Sequence, residues 1–215
     1  MVTTEICVFT LLDTITLQDL LNPSKTPHSE LLKTVRSQPG CQSLYWGVGI
    51  QDPTKLFWFI EWDHLTSHQL FQSLPSYPSF VSTAIALTNP SSPSPLTVLH
   101  YNLPTPLSHF PKSQKPYLEY FSLPTLPSSS TSLSETFESL QTAFSTFSPE
   151  GIPSTYSFAI DEGSENICLS LIGWKDKEQH AAFLKTDAFV NAEPKMREVA
   201  AGPPVAIHVD LQEWE

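Results

Sequence analysis

"EWDHLTSHQLF" occupies residues 61–71, and "GWKDKEQHAAF" occupies residues 173–183, 112 positions later. Trp62 falls on Trp174, His68 on His180 and Phe71 on Phe183. The residues between them mostly differ, so three rings kept at one spacing mark an internal repeat rather than low complexity. The repeat extends outward in both directions. "ICVFTL" (6–11) aligns with "LEYFSL" (118–123) at the same offset, which sets Phe9 on Phe121 and Leu11 on Leu123. "FV" at 80–81 matches "FV" at 189–190, and "PLTVLHYNL" (95–103) aligns with "PPVAIHVDL" (203–211). That last match pairs His100 with His208 and Leu103 with Leu211. Four blocks keep their order, which chance does not readily produce.

Each copy carries one order of elements. "TEICVFTLL" is rich in β-branched and aromatic residues and reads as a strand. A helix follows, around "SELLKTVRS" in the first copy and "SLSETFESLQTAFSTF" in the second. In the latter, Leu133, Phe137, Leu140, Phe144 and Phe147 advance by three or four residues and so share one helix face. Ser132 and Glu135 are spaced as a capping box at its start. Two strands come next, "QSLYWGVGI" and "KLFWFIEW", answered by "STYSFAI" and "NICLSLIGW". A second helical region and a last strand complete each copy. The order β-α-β-β-α-β is the ferredoxin-like unit. "LFWFI" and "ICLSLI" are apolar on both parities, so both faces of each sheet are expected to be buried. The expected fold is therefore α+β: two tandem ferredoxin-like units forming an intramolecular, pseudo-dimeric α/β barrel. The halves are expected at 1–103 and 117–215, joined by the Pro/Ser-rich linker 104–116 within "LPTPLSHFPKSQKP".

Composition narrows the partners. Only 15% of the 215 residues are charged, and the formal net charge is −11 with 11 lysines and arginines and no basic run. A nucleic-acid partner needs a positive stripe to displace phosphate counterions, so none is expected. No apolar run reaches the ~18 residues of a membrane span, and the N-terminus lacks a basic leader. The three cysteines, Cys7, Cys41 and Cys168, form no C-x-x-C, so no zinc ribbon or thioredoxin-type site is written here. A soluble, cytoplasmic protein is expected, monomeric because its partner sheet is supplied in the same chain.

A β-α-β-β-α-β unit whose third strand ends in Trp, followed by a helix with W-x5-H-x2-F, resembles the dimeric α/β-barrel superfamily. It is similar in particular to domains of the antibiotic-biosynthesis-monooxygenase type, here as a tandem in one chain. The resemblance covers nearly the whole chain and rests on topology and this short motif. It implies a small-molecule enzyme of the secondary-metabolism kind: a cofactor-independent monooxygenase, or a cyclase or isomerase, acting on an aromatic or polyketide-like substrate. A non-catalytic ligand-binding or stress-related barrel is the alternative. Haem binding is a further one, since some relatives hold haem through a helix histidine.

The residues themselves carry few familiar signatures. G-x-G-x-x-G, the Walker lysine loop, H-E-x-x-H and G-x-S-x-G are all missing. The repeated histidines remain. His68 and His180 sit about one turn into the second helical region, at the edge of an inward apolar stripe. They are the candidate catalytic bases, with packing against Trp62 or Trp174 as the competing role. His100 and His208, on the last strands, share a face with Asn102 and Asp210 and are candidate substrate contacts or a satisfied polar pair. His64/His68 and Asp176/His180 have i, i+4 spacing, but no third ligand is indicated, so neither metal nor cofactor is expected. Trp46, Trp58, Trp62 and Trp174 are the candidate walls of an apolar pocket for a small aromatic molecule. The denser aromatic set lies in the first copy, which makes that half the expected site.

Overall fold

The computed structural model describes residues 2–110, 117–148 and 150–214. They divide into two compact units, Met1–Asn102 with Leu211–Glu215, and Leu103–Asp210. The expected linker falls partly on residues 111–116, which lie outside the described ones.

The first unit runs β1 (Thr3–Thr10), α1 (Leu17–Leu20), α2 (His28–Arg36), β2 (Cys41–Val48), β3 (Lys55–Trp62), α3 (Leu65–Gln72), α4 (Tyr77–Ile85) and β4 (Leu96–Tyr101). The second runs β5 (Tyr117–Pro124), α5 (Ser130–Phe147), β6 (Ser154–Phe158), β7 (Ile167–Trp174), α6 (Lys177–Phe183), α7 (Asp187–Val199) and β8 (Val205–Asp210). A short β9 (Gln212–Glu213) ends the chain. The first sheet is ordered β4-β1-β3-β2 and the second β8-β5-β7-β6, the same antiparallel arrangement twice. Each is the sheet of a ferredoxin-like unit, and the α+β expectation is met. Strand β9 adds to the outer edge of β2 through Tyr45 and Trp46. The last residues therefore belong with the first unit, a pairing the sequence repeat does not announce.

The strand registers relate the two copies residue by residue. Cys7 pairs with Trp58 and Thr3 with Trp62, while Phe121 pairs with Ser170 and Tyr117 with Trp174. Cys7 is thus equivalent to Phe121, and Phe9 to Leu123, not to Phe121 as the sequence alignment set it. The slip is two residues, which leaves every side chain on its expected face because strand side chains alternate with period two.

Both central strands are buried along almost their whole length, β3 from Leu56 and β7 from Cys168 onward. One face carries Leu56, Trp58, Ile60 and Trp62 into a core shared with Leu31, Leu32 and Val35 of α2. In the second unit Leu133, Phe137, Leu140 and Phe144 of α5 pack with Cys168, Ile172 and Trp174, as their helical spacing requires. The capping box expected at Ser132 and Glu135 does not form. The helix starts earlier, with Ser129 at its cap and no side-chain cap bond, so Ser132 lies inside the first turn. A capping box does occur at Thr16 and Asp19, at the start of α1.

Candidate active site

Two tetrads occupy equivalent positions, the first buried and the second partly exposed at His180. In the first unit Glu5 of β1 stands opposite His100 of β4 in the strand pairing. Its Oε2 accepts a hydrogen bond from Trp62 Nε1 at 2.8 Å and lies 3.5 Å from His68 Nδ1. The two imidazoles share a short contact, His68 Nδ1 to His100 Nε2 at 2.7 Å. In the second unit Glu119 of β5 stands opposite His208 of β8. Its Oε2 accepts from Trp174 Nε1 at 2.7 Å and lies 3.6 Å from His180 Nε2. His180 Nδ1 meets His208 Nε2 at 3.0 Å. Each helix histidine stacks on its tryptophan, with ring centroids at 5.2 Å for His68 on Trp62 and 4.8 Å for His180 on Trp174.

Local folding explains the convergence. The tryptophan ends β3 or β7, and the chain turns directly into α3 or α6. His64 and Asp176 take the extended conformation of a helix cap, and Asp176 accepts from the Gln179 backbone N–H. One turn on, the histidine returns over the indole. The acidic residue of the first strand and the histidine of the last strand are cross-strand neighbours, so they meet it from below.

The two surroundings differ. In the second unit a cavity of about 400 Å³ opens beside the tetrad, lined by Glu119, Trp174 and His180 among Phe121, Phe137, Phe144 and Phe189. In the first unit the corresponding void is about 40 Å³, closed by Phe9, Trp58, Phe71, Tyr77 and Phe80. The larger pocket therefore lies in the half with fewer strand aromatics, contrary to expectation. The rings that suggested a pocket wall fill the space instead. Trp46 and Trp58 belong to the first core; Trp58 donates to His28 Nε2 at 3.1 Å, and His28 packs edge-on against Trp46. Neither tryptophan touches the larger cavity.

Burial shapes the charges. It pushes the Glu119 carboxyl above the ordinary carboxylate range, with the neighbouring His180 and the Trp174 N–H opposing the rise. It lowers His208 to about 4, helped by the charge of His180. A neutral His208 can accept the Nδ1 proton of His180 while His180 Nε2 faces Glu119. Glu119 and His180 thus form an acid–base dyad open to the cavity, held by Trp174 on one side and His208 on the other. His100 and His208 are brought to the helix histidines His68 and His180. The sequence reading missed Glu5 and Glu119. The signal was there, a single acidic residue inside the apolar first strand of each copy.

No protein-family model matches this chain, and no curated protein matches its sequence. Among the described residues no helix is long and apolar enough to cross a membrane. Solved structures do resemble it. An anthrone oxidase-like protein superimposes with a TM-score of 0.70 at 16% identity, over 99% of this chain and 93% of the other. A candidate monooxygenase from Fusobacterium nucleatum gives 0.67 at 10% identity, over 98% and 92%. Another from Lactobacillus acidophilus gives 0.64 at 10%, over 98% and 93%. At such identities the likeness speaks to fold, and in fold this chain is similar to monooxygenase-type proteins built from ferredoxin-like units.

Proposed function

We propose that this protein is a small-molecule enzyme working in the second unit's cavity, a monooxygenase that needs no cofactor, or a cyclase of the same chemistry, acting on a flat aromatic or polyketide-like substrate. The observation that carries this reading is the Glu119–His180 pair at the edge of a mainly apolar cavity large enough for a fused-ring molecule, whose lining otherwise adds only the Glu193–Arg197 ion pair as charged groups. The fold likeness to an anthrone oxidase-like protein supports the same class.

The substrate required is one with an acidic C–H beside an aromatic ketone. The Glu119 carboxylate, made more basic by burial, takes that proton, while His180 and the Trp174 N–H hold the carboxylate in place. Once the substrate fills the cavity, it and the apolar wall exclude water, so the enolate persists. In the oxygenase form, the enolate carbon bonds to O2, and the resulting hydroperoxide loses water. A CH2 becomes C=O, one oxygen atom enters the product, and the other leaves as water. In the cyclase form, the enolate carbon attacks a carbonyl carbon of the same molecule, and the dyad returns the proton to the alkoxide.

The test is oxygen uptake with anthrone, followed together with quinone absorbance. Wild type should consume about one O2 per quinone formed, as the scheme above requires, and Glu119→Gln should lose ~10²–10⁴ in turnover. Tight binding of anthrone with no turnover would instead make the chain a binding protein.

A further inference from the structure

The first tetrad has no room for a substrate of that size, yet it keeps two histidines and a carboxylate in contact inside the core. We propose that Glu5, His68 and His100 bind one divalent transition-metal ion of the zinc class, a site independent of the proposed activity in the other unit.

The three donors come from three elements, β1, α3 and β4. They converge on one nitrogen: His68 Nδ1 is 2.7 Å from His100 Nε2 and 3.5 Å from Glu5 Oε2. The ligand atoms of all three lie within 4.8 Å of one another. Donors placed tetrahedrally around a single Zn²⁺, with bonds of ~2.0–2.2 Å, stand ~3.3–3.6 Å apart, so a small adjustment seats an ion among them. The carboxylate is already oriented. Trp62 Nε1 donates to Oε2 at 2.8 Å and Cys7 Sγ to Oε1 at 3.3 Å, the outer-shell support that metal-binding groups require. Two histidines and a carboxylate leave a fourth position, and the adjoining void of about 40 Å³, lined by Glu5 and His68, has space for one water.

The second tetrad has the same residue types but a different geometry. The ligand atoms of Glu119, His180 and His208 also lie within 4.8 Å of one another, but the shortest contacts of His180 use different nitrogens, Nδ1 to His208 and Nε2 to Glu119, and its ring is partly exposed at the large cavity. The ion is therefore assigned to the first unit alone.

Because the site is buried, the full chain should be refolded from denaturant with ZnCl2, desalted and analysed for metal. Refolding with Co²⁺ gives an optical probe of low-coordinate nitrogen and oxygen ligation. One ion per chain is expected in wild type and in His208→Gln, and none in His100→Gln. Addition of a chelator during refolding should lower the melting temperature of wild type and leave that of His100→Gln unchanged. Retention of no ion by wild type overturns the site, as does an ion that survives His100→Gln or disappears with His208→Gln. If His100→Gln does not fold, Glu5→Gln replaces it, and the wild-type stoichiometry alone still decides.

Discussion

Trp58 and Ser170 hold the same place in the two units, each the strand neighbour of the equivalent pair Cys7 and Phe121. The indole in one and the hydroxymethyl in the other accompany voids of about 40 and about 400 Å³. Other exchanges act in the same direction: Phe9 answers to Leu123, and Tyr77 closes the first void from α4. One framework thus holds a filled tetrad and an open one. Trp58→Ala should cost about 3–5 kcal/mol of stability, as removal of a buried ring does, and leave His28 Nε2 without its donor. Denaturant unfolding checks this, and a loss below ~1 kcal/mol would show that the ring does not fill the core.

Trp174 supplies a hydrogen bond that lowers the pKa of the Glu119 carboxyl against the upward push of burial. Trp174→Phe keeps an aromatic surface under His180 and removes the N–H. The Glu119 carboxyl then rises further, so a reaction needing the carboxylate should have its acid limb at higher pH than in wild type. The pH dependence of kcat/KM measures the displacement. A limb that stays in place, or moves to lower pH, means another group is the base.

His28 and His208 give a stability signature. Both are held at about 4, chiefly by burial, against 6.5 for an ordinary histidine. The unfolded chain binds protons first as pH falls, so stability is highest above about 6.5 and declines as the pH drops toward 4. The slope is at most ~1.4 kcal/mol per pH unit for each histidine. Unfolding free energies measured between pH 7 and 4 should fall accordingly, and His208→Asn should flatten the curve by one histidine's share. An unchanged slope would place the titration elsewhere.

The order of strands and helices was legible in the sequence because each is written in its own period: β-branched and aromatic runs for β3 and β7, three-and-four spacing for α5. Three members of each tetrad were legible too, since Trp62, His68 and His100 recur as Trp174, His180 and His208. The fourth was not. The strand alignment that set Phe9 on Phe121 was off by two, and a slip of two keeps every face correct while moving Glu5 away from Glu119. The location of the cavity could not be read from aromatic density, because a ring lines a pocket or fills it according to the sizes of its neighbours. Trp58 with Phe9 and Tyr77 closes the first void to about 40 Å³, whereas Leu123 lines a cavity of about 400 Å³ at the position equivalent to Phe9. The pairing of β9 with β2 depends on two residues at the chain end with no periodicity to declare them.

His68 and His180 test what the repeat is for. Both stack on a tryptophan, contact a second histidine and approach a carboxylate, so removal of either disturbs a similar set of contacts. Their exposure separates them. The His68 side chain is 2% exposed in a closed core, and that of His180 is 17% exposed at the edge of the large cavity. His68→Ala should therefore lower the melting temperature more, because it removes from a closed core the imidazole that His100 Nε2 and Glu5 Oε2 both face. Activity per folded molecule should be unchanged. His180→Ala should destabilise less, since the cavity lets water replace the ring, and should reduce turnover by ~10²–10⁴. Steady-state kinetics corrected for the folded fraction, with unfolding curves on the same preparations, give both quantities. If turnover falls with His68→Ala and not with His180→Ala, the chemistry belongs to the first unit. If neither substitution changes it, the two tetrads record packing alone.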